Sequence, residues 1–271
     1  MFSAQRLGFV GSGNMAEALM RGVIEKGLWP KEQVIASDAS LDRLSAIGRK
    51  LGIKTAADNR EAVTSSDMVI IAVKPAQVPE VLSEVADVIT ADTLVISIAA
   101  GVTLATIQSL LKKNIPVIRV MPNAPAMALA GMSCLSAGSS AGPDHLAEAM
   151  KLFSGVGEAL VVPEAHLDAV TALSGSGPAY VFLVIEALSD AGVRAGLPRK
   201  TAEKLSAQTV FGAAKMVIET GKHPGELKDM VASPAGTTIE GLAVLEKNGV
   251  RGAFIEAVDA ACRRARDLGK K

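Results

Sequence analysis

Along the first 163 residues, short apolar runs alternate with stretches whose apolar positions recur every three or four residues. The runs RLGFVG, QVIASD, MVIIAV, TLVISIA, PVIRVMP and GEALVVP are apolar nearly throughout, as strands covered on both faces are. Between them, segments such as MAEALMRGVIEKG and LDRLSAIGRKLG read as helices. This alternation predicts an α/β, Rossmann-like, doubly wound and mostly parallel sheet. From EAHLDAVTALSG onward the strand rhythm stops. PAYVFLVIEALSDAGVRAG, RKTAEKLSAQTVFGAAKMVIETG and AFIEAVDAACRRARDLG read as helices, with Phe254, Val258 and Cys262 at helical spacing. The pattern divides the chain into a dinucleotide-binding domain at 1–163 and an all-α domain at 164–271. The later helices are apolar around much of their circumference. Such helices need burial on more than one side, which predicts a subunit interface.

Composition narrows the partners. A net charge of +0 supplies no field to draw in nucleic acid or an acidic membrane, and 3% aromatic residues supply no stacking platform for single strands. Cys134 and Cys262 stand outside any metal spacing, which predicts a reduced cytoplasmic protein without a metal. MFSAQRLGFVGSG lacks the charged head and apolar core of a signal peptide. No uninterrupted apolar run reaches the ~18 residues of a membrane span. AYVFLVIEAL comes nearest and carries Glu186, so no membrane association is expected.

The first candidate chemistry is LGFVGSGNMAEAL, where Gly11, Gly13 and Ala16 form G-x-G-x-x-A between a strand and a helix. Gly11 permits the tight turn, Gly13 lets backbone approach a pyrophosphate, and Ala16 allows helix to pack on sheet. The free N–H groups of the helix end complete an anion site. Asp38 closes the second strand, 25 residues after Gly13, where an acidic group meets adenine ribose hydroxyls. An aspartate there favours NAD, yet Ser37, Ser40 and Arg43 stand close enough in sequence to serve a 2′-phosphate, so the choice stays open. Further strand ends bring Lys74, followed by Pro75, and the small residues Ala99, Ala100 and Gly101.

Two polar motifs lie in the helical half. SPAGTT, residues 233–238, has no charged group and stands before an amphipathic helix expected to begin near Thr237 or Thr238. Uncapped N–H donors with hydroxyls from Ser233, Thr237 and Thr238 suit a small carboxylate. SGSGP offers Ser174 and Ser176 as hydroxyls, Gly175 and Gly177 for close approach to a ring, and Pro178 in the first turn of a helix. His145, His166 and His223 lie outside any distinctive motif and are read as surface or capping residues.

Taken in order, GFVGSGNMAEAL, AVKP, SIAAG, RVMPNAPA, LSGSGPAYVF and ASPAGTTIEGL resemble the pyrroline-5-carboxylate reductase family over essentially the whole chain. The resemblance implies reduction of 1-pyrroline-5-carboxylate to L-proline, the last step of proline biosynthesis. It implies an N-terminal Rossmann domain and a C-terminal helical domain forming an interlocked homodimer, with five dimers joining into a ring. It implies NADPH as cofactor, with NADH left open by Asp38. Cofactor contacts are implied at Val10, Gly11, Ser12, Gly13, Asn14, Met15, Asn59, Ala72, Val73, Lys74, Pro75, Ile98, Ala99 and Ala100. Substrate contacts are implied in the loop from Val231 through Ser233, Gly236 and Thr237 to Thr238, with Thr238 assisting catalysis. Ala235 stands where the family often has glycine, so it is expected to avoid positive φ. Other readings are a related imine or β-hydroxyacid reductase, and a non-catalytic dinucleotide sensor. The helical run after SGSGP has no lysine, which counts against carbonyl reduction.

Overall fold

The computed structural model describes residues 3–111 and 114–269. The strands are β1 Leu7–Val10, β2 Val34–Ser37, β3 Lys54–Thr55, β4 Met68–Ile71, β5 Leu94–Ser97, β6 Val117–Met121, β7 Gly131–Ala137 and β8 Gly157–Val161. They form one sheet in the order β3-β2-β1-β4-β5-β6-β7-β8. All neighbours are parallel except β6 and β7. The helices of this half are α1 Asn14–Glu25, α2 Leu41–Leu51, α3 Asn59–Thr64, α4 Val78–Val85, α5 Leu104–Leu111 and α6 Pro143–Ser154.

The strands are apolar throughout because both faces are covered. Successive residues alternate between two cores: Phe9, Ile70 and Ile96 enter one with Leu19, Leu152 and Phe153, while Val10, Val69, Ile71 and Val95 enter the other with Leu82 and Ile107. Two strands lie outside the six runs read from the sequence. β3 is two exposed residues. β7, GMSCLSA, buries Ser133 and Ser136 almost completely, and these small hydroxyl residues hide its strand character.

The helical half comprises α7 Leu167–Val170, a π turn at Thr171–Gly175, α8 Gly177–Arg194, α9 Arg199–Thr220, α10 Pro224–Met230, α11 Thr237–Lys247 and α12 Val250–Gly269. One compact unit runs to Ser176 and takes in the chain again from Ala261; Gly177–Ala260 forms the other. In the second unit α8 packs against α9. Phe182, Leu183, Phe211 and Ile218 of this pair are exposed by 60–80%. This is the unpartnered apolar surface expected of helices that meet another subunit.

Helical continuity changes one expectation. The π turn links SGSG to what precedes it, so Glu164–Arg194 is one helical stretch of 31 residues with a mean hydropathy of 1.3 in its most apolar window. By length and composition it is sufficient to cross a membrane. The shorter apolar string AYVFLVIEAL understated it, because helical length is counted through the polar turn.

Candidate functional site

The parallel register assembles the carboxyl edge of the sheet. Val10 pairs with Ser37 on one side and Ile71 on the other, and Ile71 pairs with Ser97. The next residues, Asp38, Gly11, Ala72 and Ile98, therefore leave the sheet along one edge. The N–H groups of Gly11, Ala72 and Ile98 donate to Ser37, Val10 and Ile71 carbonyls at 2.9, 2.8 and 3.2 Å. The chain winds outward in opposite directions from β1 and β4, so this is the switch point where open α/β sheets bind ligands.

Gly11 has φ +95°, and a Cβ there would stand 2.8 Å from the Ala72 carbonyl oxygen, so glycine is required. Gly13 is the N-cap of α1, with no side chain capping the helix. A Cβ on Gly13 would meet nothing within 4 Å. The space in front of the α1 amides is thus open, and the cradle fits a pyrophosphate. Asn14 and Met15 open α1, and Ala16 is buried in its packing against the core.

Ser12 is fully buried and joins the loop to β2. Its N–H and its hydroxyl both donate to one oxygen of Asp38, each at 2.7 Å, while Ser40 N–H donates to the other at 2.9 Å. Burial pushes the Asp38 carboxyl up, but the hydrogen bonds from Ser40 and Ser12 and the charge of Arg43 outweigh it and hold the pKa below the ordinary value. Arg43 Nε donates to Ser12 O at 2.9 Å and Nη2 to Glu17 at 2.6 Å; Lys50 reaches the same carboxylate at 2.7 Å. Asn59 comes to the same edge, accepting from the Ser37 hydroxyl at 2.8 Å and donating to Glu84 at 2.8 Å.

Val73 lies beside Gly11. Lys74 and Pro75 are exposed, and Lys74 N–H donates to the Gln77 side chain at 3.3 Å. Ala99 is buried, and Ile98 and Ala100 are half-buried at the end of β5. The structure therefore brings every sequence-predicted dinucleotide residue to the β1, β2, β4 and β5 ends.

Ser174, Gly175 and Ser176 lie in the unit that holds the sheet, and Gly177 begins the other. Ser176 N–H donates to Thr171 O at 2.9 Å, closing the π turn, a local form frequent at functional sites. Asn123 holds it: Nδ2 donates to Ser174 O and Oγ at 3.2 and 3.3 Å, and Oδ1 accepts from Met132 N–H at 2.8 Å. A Cβ on Gly175 would stand 2.6 Å from the Met121 terminal methyl. Gly177 opens α8, with Pro178 second, as the helix start predicts. Asn123 is a positioning residue not singled out from sequence; its only signal was its place in RVMPNAPA, directly after β6.

The loop 231–238 belongs to the second unit. Val231 caps the end of α10. Gly236 N–H donates to Ser233 O at 3.1 Å, closing a turn with Pro234 and Ala235 at its centre. Ala235 has φ +54°, contrary to the expectation that alanine would avoid the left-handed region. The reason is local: a turn with proline in its second position and a closing hydrogen bond takes positive φ in its third when it is of type II. α11 begins at Thr237, with Gly236 as N-cap and no side chain capping it. A Cβ on Gly236 would lie 2.3 Å from Ser233 Oγ, so the Ser233 hydroxyl rests against the helix entry. The Ser233 hydroxyl thus lies at a helix entry whose N-cap supplies no side chain, and Thr237 and Thr238 are the first two residues of that helix. His145 and His223 cap instead, their Nδ1 atoms accepting from Gly142 and Gly225 N–H at 3.0 and 3.1 Å.

Known proteins match this architecture from end to end. A family model described as pyrroline-5-carboxylate reductase dimerisation matches residues 164–268, and one described as NADP oxidoreductase, coenzyme F420-dependent, matches residues 6–101. The chain is 51% identical to a pyrroline-5-carboxylate reductase of Methanosarcina acetivorans, covering 98% of this chain and 99% of the relative. It is 43% identical to the Escherichia coli protein of that name, covering 98% and 99%. Among solved structures, a pyrroline-5-carboxylate reductase from Coxiella burnetii superimposes with a TM-score of 0.93 at 39% identity, covering 98% and 99% of the two chains. A Plasmodium falciparum pyrroline carboxylate reductase with NADP bound gives 0.88 at 31% identity, covering 97% and 98%.

Proposed function

The chain belongs to the pyrroline-5-carboxylate reductase family, and from that premise we propose how it reduces 1-pyrroline-5-carboxylate to L-proline with a nicotinamide dinucleotide. The dinucleotide is held at the Gly11–Met15 loop and the β2, β4 and β5 ends, with Asn59, Ala72–Pro75 and Ile98–Ala100 as further contacts. A bound reduced nicotinamide supplies the hydride, which ends on the imine carbon. The protein contributes position and electrostatics. The substrate carboxylate is taken by the amide end of α11 together with Ser233 and Thr237, in place of a cationic side chain. Gly236 lets the backbone come close, and Val231 lines the approach. Ser174 and Ser176 offer hydroxyls, and Gly175 and Gly177 close backbone approach, to a ring. Thr238 hydrogen-bonds the ring nitrogen and orients a proton there; its hydroxyl is too weak an acid to be the proton's source. A protonated imine is the better hydride acceptor, and the pyrroline takes its proton from water.

The observation that carries this reading is the entry of α11, where Gly236 supplies no capping side chain and the Ser233 hydroxyl rests against it. Residues 164–271 form the substrate and dimerisation domain of a cytoplasmic homo-oligomer, and assembly of five dimers is its finer form. The test is dinucleotide oxidation with pyrroline-5-carboxylate against a panel of 2-ketoacids, hydroxyacids and other cyclic imines. Turnover confined to pyrroline-5-carboxylate supports the reading. Turnover of a ketoacid alone turns it into a carbonyl reductase, and binding without any turnover makes it a sensor.

A further inference from the structure

We infer that Asp38 makes this chain select NADH over NADPH, an inference that rests on the dinucleotide reading above and goes against the NADPH implied by resemblance. A carboxylate has about four lone-pair sites. Three of Asp38's are filled, by Ser12 N–H, Ser12 hydroxyl and Ser40 N–H. The pinned group retains acceptor capacity for a ribose hydroxyl, which arrives as a donor. A 2′-phosphate arrives as an acceptor and an anion, and the two backbone amides nearest the carboxylate are already engaged by it. Ser12 and Ser40 amides serve Asp38. The Ser37 hydroxyl serves Asn59, and the Asn59 amide serves Glu84.

The nearby cation is committed as well. Arg43 spans Ser12 O and Glu17, and Glu17 is also drawn to Lys50. Turning the guanidinium wholly to a phosphate would break both contacts, so its charge is shared with Glu17. A phosphate would therefore meet a fixed anion whose neighbouring cation is already shared with Glu17. The local hydrogen bonds keep Asp38 ionised throughout the neutral range.

The test is substrate-free titration of the intact protein with NADH and with NADPH, following nicotinamide fluorescence, in wild type and in Asp38→Asn. The wild type should bind NADH at least about 10-fold more tightly, the ratio of one well-placed charge contact. Asp38→Asn removes the charge and adds a donor, and should shrink that ratio at least severalfold through tighter NADPH binding. Wild-type binding of NADPH equal to or tighter than NADH overturns the inference and leaves the reductase reading standing. An unchanged ratio in a folded Asp38→Asn overturns it too, and the wild-type comparison decides alone if that variant fails to fold. Binding of neither dinucleotide overturns both readings, whereas NADH-selective binding without turnover of pyrroline-5-carboxylate supports this inference and removes only the other.

Discussion

At Thr238 the claim on function is a single hydroxyl in the first turn of α11, beside amides that no side chain caps. Removing it in Thr238→Ala should lower kcat/KM for pyrroline-5-carboxylate by about 10- to 1,000-fold, the range of a lost transition-state hydrogen bond. Steady-state kinetics decide this, and an unchanged kcat/KM takes Thr238 out of the mechanism. Two residues earlier in the same loop, Ala235 holds φ +54°. A left-handed alanine carries a strain of about 1–2 kcal/mol, which glycine relieves while adding unfolded-chain entropy of about 0.5–1 kcal/mol. Ala235→Gly should therefore stay within about 1 kcal/mol of wild type in urea unfolding, and Ala235→Val should fall below it by at least about 1 kcal/mol. Equal stability of the two variants would show that the turn relaxes out of the left-handed region. The motif was legible as a polar knot before a helix. The sign of this φ was not, because it follows from the hydrogen bond that closes the turn.

At the scale of elements, α1 and α2 are joined through charge. Glu17 on α1 receives Lys50 and Arg43 from α2, and the Lys50 hydrogen bond is the first cause holding its carboxyl below the ordinary value. Asp67 is held low by Arg6, and Asp38 by hydrogen bonds that outweigh burial. Each folded pKa lies below its unfolded value. The stabilisation is complete above the unfolded carboxyl range, near pH 4, and is lost as pH falls through the lower folded values. Stability measured by urea unfolding should thus decline below about pH 4, and Glu17→Gln should flatten that decline. An identical acid slope in the variant would show that the α1–α2 pair contributes nothing. None of these pairings was visible in the one-dimensional pattern. Lys50 and Glu17 stand 33 residues apart, and only packing of helices on neighbouring strands brings them together.

At the scale of the molecule, the helical half keeps too little of its apolar surface covered for a lone chain. Within α8 and α9 the buried residues are Ser189, Ala202 and Ser206, while Phe182 and Ile218 are 62% and 80% exposed. Association of subunits supplies the missing burial. Placing aspartate at both Phe182 and Ile218 should shift the protein from oligomer to monomer in sedimentation equilibrium. An oligomer of unchanged size would place the interface on another face.

The sequence by itself determined the alternation of buried strands and helices, the glycine turn after β1, a helix start near Thr237 or Thr238 and the apolar excess of the second half. Each is a property of near neighbours along the chain: strand and helix periods, the freedom of glycine, the preference of proline for a first turn. Tertiary structure alone decided that Asp38 closes on Ser12, that Asn123 holds the SGSG turn, that Ala235 accepts positive φ, and that β7 runs against β6 with its serines buried. These depend on which distant groups a register or a turn brings within hydrogen-bond reach, and no local pattern encodes that distance.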